Sequence, residues 1–600
     1  MARLERRVAD RKPRPSNSTD IYTCGRFSGP SIKQDRSVPH QVGLSIRRIS
    51  THCLTLDIVI PAVLLDWASI LDRMLCMNSI PALYGSRRKE LQAALSDTVF
   101  DLVVIGGGIT GTGVARDAAM RGLSVALIEA QDLASGTSSR SSKMIHGGLR
   151  YLVQGDIPVV KESASERARL AKIAPHLATK SDYIIAIHSW KERWALRIAL
   201  SIYEWLGKVA KSDHHEFWSL QQLQQREPGL NVKGVSGAIV YPEYLTDDAR
   251  LTLATARSAA EHNAVIATYC KVTALSKNGS EFQIDCEAQL PDEDWSCQMK
   301  ARSVVNCAGP WVDQICQLES SEAPKRLALS RGVHLVVDHQ RLPVNHTVVM
   351  STPDKRKIFA VPLGNYTYLG TTDEFYPDSD YWPPVNHADV TYLLTTTNKN
   401  FPSAKLDADD IVSVWSGVRP LVGSTDSKAT EISRKDEMWF GPLDVLTVGG
   451  GKLSAYRAMA ERIVDKLSKH WSFNTSSCTT HEHPLPGGGA LPSEPQSSDA
   501  ATDARWRKFY GSESSAVAEH GDGLVAEVRF AVLYEGALRL EDYWARRSSR
   551  AWFDTNAGLD SLAEAAAVMA DLLAWSEERT TLEINRCIDI DRDSKSNLKP

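Results

Sequence analysis

Six hundred residues exceed one ordinary domain, and 43% hydrophobic content with 24% charge suits a globular chain of two or more domains with sizeable cores. A formal net charge of −4 over that length supplies no general attraction for nucleic acid, and no nucleic-acid module is recognisable. The ten cysteines are scattered, with no CxxC pair and no Cys/His cluster of zinc-like spacing, which disfavours structural metal and a disulfide framework and reads as reduced thiols.

The chain begins with RLERRVADRKPRPSNSTD and carries a further arginine pair at 47 and 48; it lacks apolar periodicity, so residues 1–96 are expected to form a disordered extension. An Arg- and Ser-rich, acid-poor leader fits an organellar transit peptide, while the preferred reading is an upstream start codon with Met77 as the natural beginning. The apolar run from Cys53 to Leu71 contains Asp57, Pro61 and Asp66, which are costly in hydrocarbon and argue against a membrane span.

From Phe100 to Glu129 the chain runs FDLVVIGGGITGTGVARDAAMRGLSVALIE: an apolar strand, a glycine turn, a helix, a second apolar strand and a terminal acid. That order is a dinucleotide-binding unit. Gly106 permits the tight turn, Gly108 lets backbone approach a pyrophosphate, and Gly111 lets the helix pack close to the sheet. Glu129 ends the second strand, where a carboxylate can accept hydrogen bonds from a ribose. The next stretch, AQDLASGTSSRSSKMIHGGLRYL (130–152), is too polar and Gly-rich for core. It reads either as a solvated loop or as a binding loop. In the second case Ser138, Ser139, Ser142 and Lys143 suit a pyrophosphate or flavin edge, and Arg150 offers a bidentate fork for an oxyanion.

Further on, IPVVKESASERARLAKIAPHL predicts a helix broken near Pro175, SDYIIAIHSW a strand, and DDARLTLATARSAAEHNAV a helix. AVIATYCKVTAL, SEFQIDCEAQL and SCQMKARSVVNCAG follow as a strand meander, with more strands at VHLVVDH, TVVMST, KIFAVPLG and YTYLGTT and a helix at SAYRAMAERIVDKLSKHW. Mixed α/β is the predicted class. Pro, Gly, Ser and Thr then replace periodic apolar residues, marking a linker at 481–503 between the interleaved domains of 97–480 and a helical domain over 504–600. SWKERWALRIALSIYEWLGKVAKS (189–212) mixes Trp190, Trp194 and Trp205 with Lys191, Arg193, Arg197, Lys208 and Lys211. It is either an interfacial membrane helix or a core helix with snorkelling basic ends.

GTSSRSSKMIHGGLRYL, KIAPHL (172–177), TDDARL (246–251), NCAGPWVD (306–313), LGTTDE (369–374), SGVRPL (416–421) and GGKLSAYR (450–457) stand in an order that closely resembles the FAD-dependent glycerol-3-phosphate dehydrogenases, within the D-amino-acid-oxidase group of flavoproteins. The resemblance spans residues 97–490 or so; RLEDYWARRSSRAWF is similar to the family's terminal helical domain, and the absence of an EF-hand loop favours a bacterial type. It implies a Rossmann-like FAD-binding domain, an inserted antiparallel-sheet substrate domain and a C-terminal helical domain.

By the same resemblance, FAD is held by Gly106, Gly108, Gly111, Glu129, Thr137, Ser138, Ser139, Ser142, Lys143, His146, Gly147, Gly148, Val272, Ala308, Gly309, Gly451, Lys452 and Leu453. The substrate is held by Arg150, Tyr151, Arg419 and Arg434, with His334, Arg419 and Lys452 as catalytic residues. A phosphate monoester needs several cationic donors, and these motifs supply them. The implied reaction takes sn-glycerol 3-phosphate to dihydroxyacetone phosphate by hydride transfer to flavin, with either His334 or Arg419 as base. Electrons pass to membrane quinone, which implies a cytoplasmic protein peripherally bound at the membrane; a homodimer stays open. An oxygen-using glycerol-3-phosphate oxidase is the nearest alternative, and a non-catalytic flavin-binding module is the alternative of another class.

Overall fold

The computed structural model describes Leu83 and residues 87–146, 157–423 and 436–599. The glycine-turn unit forms the strand Val99–Ile105, the helix Ile109–Met120 and the strand Val125–Ile128. These two strands lie in an eight-stranded sheet with the order Glu437–Phe440, Leu446–Gly449, Ser296–Asn306, Val99–Ile105, Val125–Ile128 and Val265–Ala267. All but the first of these run parallel. Parallel strands covered on both faces need continuous apolar runs, and VVI and VALI supply them: Val103, Val104, Ala126 and Leu127 are fully buried. Val99–Ile105 sits where the strand order reverses, so a crevice opens at its carboxyl end. The meander expected after the helix Asp248–Glu261 is present as Cys270–Asn278 and Glu281–Ala288, which return antiparallel into Ser296–Asn306.

A second sheet of ten strands holds the remaining predicted strands, with Leu327–Asp338 paired antiparallel to both Tyr366–Gly370 and Ile411–Val422. Its core contains Val333, Leu335, Val337, Ile358, Ala360 and Leu369, all fully buried. Five of its strands escaped the sequence reading: the short Met144–Ile145, Glu216–Ser219 and Glu374–Phe375, and two long ones. Gly237–Leu245 contains a proline, and Ile411–Val422 embeds SGVRPL, whose glycine and proline mask a twelve-residue strand.

Three expectations change. Residues 88–96, assigned to a disordered extension, belong to the helix Arg88–Asp97, whose Leu91 and Leu95 are fully buried one turn apart and whose Arg88 pairs with Glu293 at 2.8 Å. The linker has no regular element from Ser472 to Asp499, as its composition requires, yet it does not float. Arg116 of the helix Ile109–Met120 donates to Thr480 O at 3.1 Å and His483 O at 2.8 Å, and Leu485 is buried beside Ile173 and Leu177. In the C-terminal region the long helical runs break, at Gly536 with φ +64° and at Ala574 with φ 54°, giving the helices Gly523–Leu533, Leu562–Leu573 and Glu577–Lys595.

The helix Trp190–Gly207 buries Leu200 and Tyr203 and leaves its opposite stripe bare: Trp190, Trp194, Ile198, Ile202 and Trp205 are 41–78% exposed. One face of the helix thus packs on the core, as one of its two sequence readings has it, and the exposed Trp/Ile stripe is what that reading leaves over. No helix among the described residues is long and apolar enough to cross a membrane.

Candidate active site

Backbone turns converge at the crevice. Gly106, with φ +112°, carries the chain out of the first strand so close to its neighbour that a Cβ there would lie 2.5 Å from Cys307 O. The helix that follows lies equally close: a Cβ at Gly111 would lie 1.9 Å from Gly106 O. Gly111 is thus spent on packing and stays outside the cavity lining. The first turn of Ile109–Met120 points its amides into the crevice, and Ser138 Oγ accepts one of them, from Ile109 at 2.9 Å. Glu129 accepts from Gly107 N at 2.6 Å and Gln131 N at 2.8 Å. Burial pushes its carboxyl above the ordinary value, partly offset by those two amides.

One cavity gathers most of the predicted residues. Its wall includes Gly106, Gly108, Glu129, Thr137, Ser138, Ser142, His146, Val272, Ala308, Gly309, Arg419, Gly451, Lys452 and Leu453. Much of the wall is bare main chain, and a Cβ added at Gly309 would meet no protein atom within 4 Å. Such a cradle of glycine backbone, a helix amino end and a half-buried acid fits the pyrophosphate and ribose of a dinucleotide. Gly147, Gly148, Arg150, Tyr151 and Arg434 lie outside the described residues.

Three predicted contacts fall behind the wall. Ser139 is buried, with its hydroxyl turned toward Gly136 O. Lys143, expected to meet a pyrophosphate or flavin edge, points its ammonium to Asp248 Oδ1 at 2.6 Å and to Ser139 O at 3.2 Å. Burial opposes that charge, and Asp248 with Asp247 outweighs burial to raise the lysine above its ordinary value. His334 stacks on Trp415 with ring centroids 4.7 Å apart and reaches the cavity through Ser142, whose Oγ lies 2.9 Å from Nε2. Burial, then the charges of Arg419 and Lys143, hold its imidazole well below its ordinary value.

Arg419 does stand at the wall. Its Nη2 donates to Thr371 Oγ1 at 2.9 Å and Thr372 O at 3.3 Å, and its Nη1 to Asp373 Oδ1 at 3.2 Å. The sequence reading missed the aromatic pair Trp311 and Tyr381, stacked at 4.3 Å along the lining. Trp311 was at hand inside NCAGPWVD; Tyr381 follows from no local pattern, because a loop after the strand Glu374–Phe375 delivers it.

Residues 101–441 match the family model described as FAD dependent oxidoreductase, and residues 478–580 match that of the C-terminal domain of alpha-glycerophosphate oxidase. The chain is 36% identical over 538 residues to the aerobic glycerol-3-phosphate dehydrogenase of Staphylococcus epidermidis, covering 84% of this chain and 97% of that one. The Staphylococcus aureus enzyme of the same name is also 36% identical, over 544 residues, with the same coverage. Among solved structures, the glycerol-3-phosphate dehydrogenase from Bacillus halodurans complexed with FAD superposes with a TM-score of 0.72 at 31% identity, covering 86% of this chain and 99% of that one.

Proposed function

The chain belongs to the FAD dependent oxidoreductase family, and from that membership we propose that it oxidises sn-glycerol 3-phosphate at C2 to dihydroxyacetone phosphate. The observation that carries this reading is the cavity itself: a glycine-lined cradle for FAD that has Arg419 and Lys452 in the same wall. Bound FAD supplies a two-electron acceptor, a chemistry no side chain provides. The cradle residues Gly106, Gly108, Glu129, Thr137, Ser138, Ser142, His146, Val272, Ala308, Gly309, Gly451, Lys452 and Leu453 would hold it.

Arg419 and Lys452 hold the anionic substrate, joined by Arg150, Tyr151 and Arg434. The C2 hydroxyl must lose a proton. Ser142 lines the cavity and touches His334, so a proton can pass from the cavity through Ser142 Oγ to His334 Nε2. The contact with Ser142 is what favours His334 over Arg419 as base; burial and the charges of Arg419 and Lys143 keep its imidazole neutral near pH 7 but also oppose the imidazolium, so any proton it takes must move on. The test is anaerobic addition of glycerol 3-phosphate to the FAD-loaded protein. Bleaching of the flavin absorbance by this substrate, and not by glycerol or lactate, is expected; an unbleached, fully loaded protein would overturn the reading.

Electrons leave to a membrane quinone, with the protein at the cytoplasmic face of the membrane through the helix Trp190–Gly207. Its bare Trp/Ile stripe supports this, flanked as it is by Lys191, Arg193, Arg197, Lys208 and Lys211. Aromatic residues beside basic ones suit the headgroup region of an anionic bilayer. Each such charge is worth about 1 kcal/mol near an anionic surface. The double charge reversal Arg197→Glu with Lys208→Glu is therefore expected to weaken co-sedimentation with phosphatidylglycerol-containing vesicles by roughly 10-fold or more. Unchanged sedimentation would remove this helix as the contact.

A further inference from the structure

We propose that Asp373 is the positioning residue for Arg419, fixing the direction in which that guanidinium faces the substrate; the inference rests on the substrate-binding role of Arg419 proposed above. Arginine is long and loses much rotamer freedom when one geometry is required of it. Here the surroundings remove that freedom in advance. Arg419 lies on the strand Ile411–Val422 directly opposite Ser330 of Leu327–Asp338. Its two Nη atoms are taken up by a three-residue turn, Thr371 to Asp373, as given above.

That turn is itself tied down. The Ser330 hydroxyl donates to the same Asp373 oxygen that pairs with Arg419, and Val333 N donates to Thr372 Oγ1 at 3.0 Å. Beneath the guanidinium is bare backbone, since a Cβ at Gly332 would lie 2.0 Å from Nη2. Arg419 is therefore held from one side by a carboxylate, a hydroxyl and a carbonyl, and from below by a glycine.

The sign of the charge separates positioning from simple attraction. A carboxylate next to an anion-binding arginine lowers the net positive potential that draws a phosphate, so Asp373 does not add to substrate attraction. It is nearly buried, 8% exposed against 18% for Arg419, and it is not part of the cavity lining. What remains for it is orientation, which matters most where the cation must meet charge developing at the reacting atoms. LGTTDE thus acquires a use that its sequence did not reveal: Thr371 and Asp373 form the holder, and Thr372 anchors the holder to the neighbouring strand.

The test compares FAD-loaded wild type with Asp373→Asn, Asp373→Glu, Arg419→Lys and the double variant Asp373→Asn/Arg419→Lys. Each is mixed anaerobically with a range of glycerol 3-phosphate concentrations. Asp373→Asn is expected to retain bound FAD and normal reduction by dithionite. Its limiting rate of flavin reduction should fall by about 10- to 100-fold, the range for a lost charge-assisted hydrogen bond, with a much smaller change in apparent Kd. Asp373→Glu should recover part of that loss, and the double variant should be no slower than Arg419→Lys within about 3-fold, since the two residues act as one unit. A wild-type rate in Asp373→Asn, or a double variant whose loss is the product of the two single losses, overturns the proposal. Should Asp373→Asn fail to fold, Thr371→Val removes the nearer of the two Nη2 acceptors without touching the charge pair; it is expected to slow reduction by about 10-fold, and a wild-type rate there overturns the proposal equally. If the wild type bleaches and Arg419→Lys does not while Asp373→Asn behaves as wild type, the substrate reading stands and the positioning role falls. If the wild type itself fails to bleach, the substrate reading falls, and this proposal with it.

Discussion

Replacement of Gly111 by alanine is expected to give a protein that purifies without FAD. The added methyl would sit 1.9 Å from Gly106 O and 3.3 Å from Val104 Cγ1, and the first of these is a backbone atom that no rotamer change can move. Relief requires the helix Ile109–Met120 to lift off the strand Val99–Ile105 by more than an ångström on the scale of ordinary van der Waals separation. Lifting it breaks two things together. The first-turn amides leave the position that a pyrophosphate would occupy. The helix also loses its seat between Asp248–Glu261 and Tyr456–Trp471, where a Cβ at Gly113 would already stand 3.0 Å from Tyr456 Cδ2. Overpacking of this kind costs about 1–3 kcal/mol or more, and FAD affinity is expected to fall by at least ~100-fold, about 2.7 kcal/mol. Gly122→Ala is the matched control. It lies just past the same helix with φ +92° and no atom within 4 Å of the new Cβ, so it carries only backbone strain of roughly 1 kcal/mol and should keep its flavin. The measurement is the ratio of flavin absorbance to protein after gel filtration. Full occupancy in Gly111→Ala would show that the helix and strand can separate at no cost to the site.

The same residue shows why part of this protein is legible from its sequence. Gly106, Gly108 and Gly111 announce themselves because their requirement is local: a positive φ, a close backbone approach and a helix packed on a strand four residues away. Strands and helices with clear period, such as Ser296–Asn306 and Tyr456–Trp471, are legible for the same reason. Lys143 shows the limit. Its place in a polar Ser-rich segment suggests an exposed cation, and nothing within ten residues tells that Asp248, more than a hundred positions on, will bury it. His334 is similar: its ring is fixed by Trp415 across a strand pair, and it meets the cavity through Ser142. Asp373 was inside a quoted motif, but its meaning depends on register, because only the pairing of Ser330 with Arg419 brings the turn and the arginine together. Short-range requirements are written in the local pattern, whereas charge pairing between distant elements is set by topology.

The largest effect of such distant pairing is expected at Asp132, where substitution by alanine should be among the most destabilising single changes in the chain. Asp132 follows the second strand of the cofactor unit and is fully buried. Both Nη atoms of Arg547 and the Nε of Arg546 donate to its carboxylate, which joins the cofactor unit to the C-terminal helices. Arg546 has a second partner in Asp542 Oδ1 at 2.5 Å, and Asp542 also accepts from Tyr269 OH at 2.6 Å. Arg547 has no other carboxylate among the described residues and would keep only Glu535 O at 2.8 Å. Removing Asp132 thus leaves the Arg547 guanidinium buried without a paired carboxylate, while Arg546 keeps Asp542 and, at 3.4 Å, Glu541 Oε1. A broken buried pair costs about 3–5 kcal/mol, because the desolvation penalty remains after the attraction is gone. That is a large part of the roughly 5–15 kcal/mol by which a native protein is stable. The matched control is Asp101→Ala, which removes a pair with Arg302, 58% exposed on the arginine side, and an exposed bond from Ser124 N at 3.0 Å, and should cost at most about 1–2 kcal/mol. In thermal unfolding of the FAD-loaded proteins, Asp132→Ala is expected to fall by on the order of 10 °C and Asp101→Ala by no more than about 3 °C. Equal shifts would mean that the buried cluster relaxes into water when it is broken. A large shift confined to Asp132→Ala would establish that the C-terminal helices are anchored to the cofactor unit by charge, through a residue only three positions beyond Glu129.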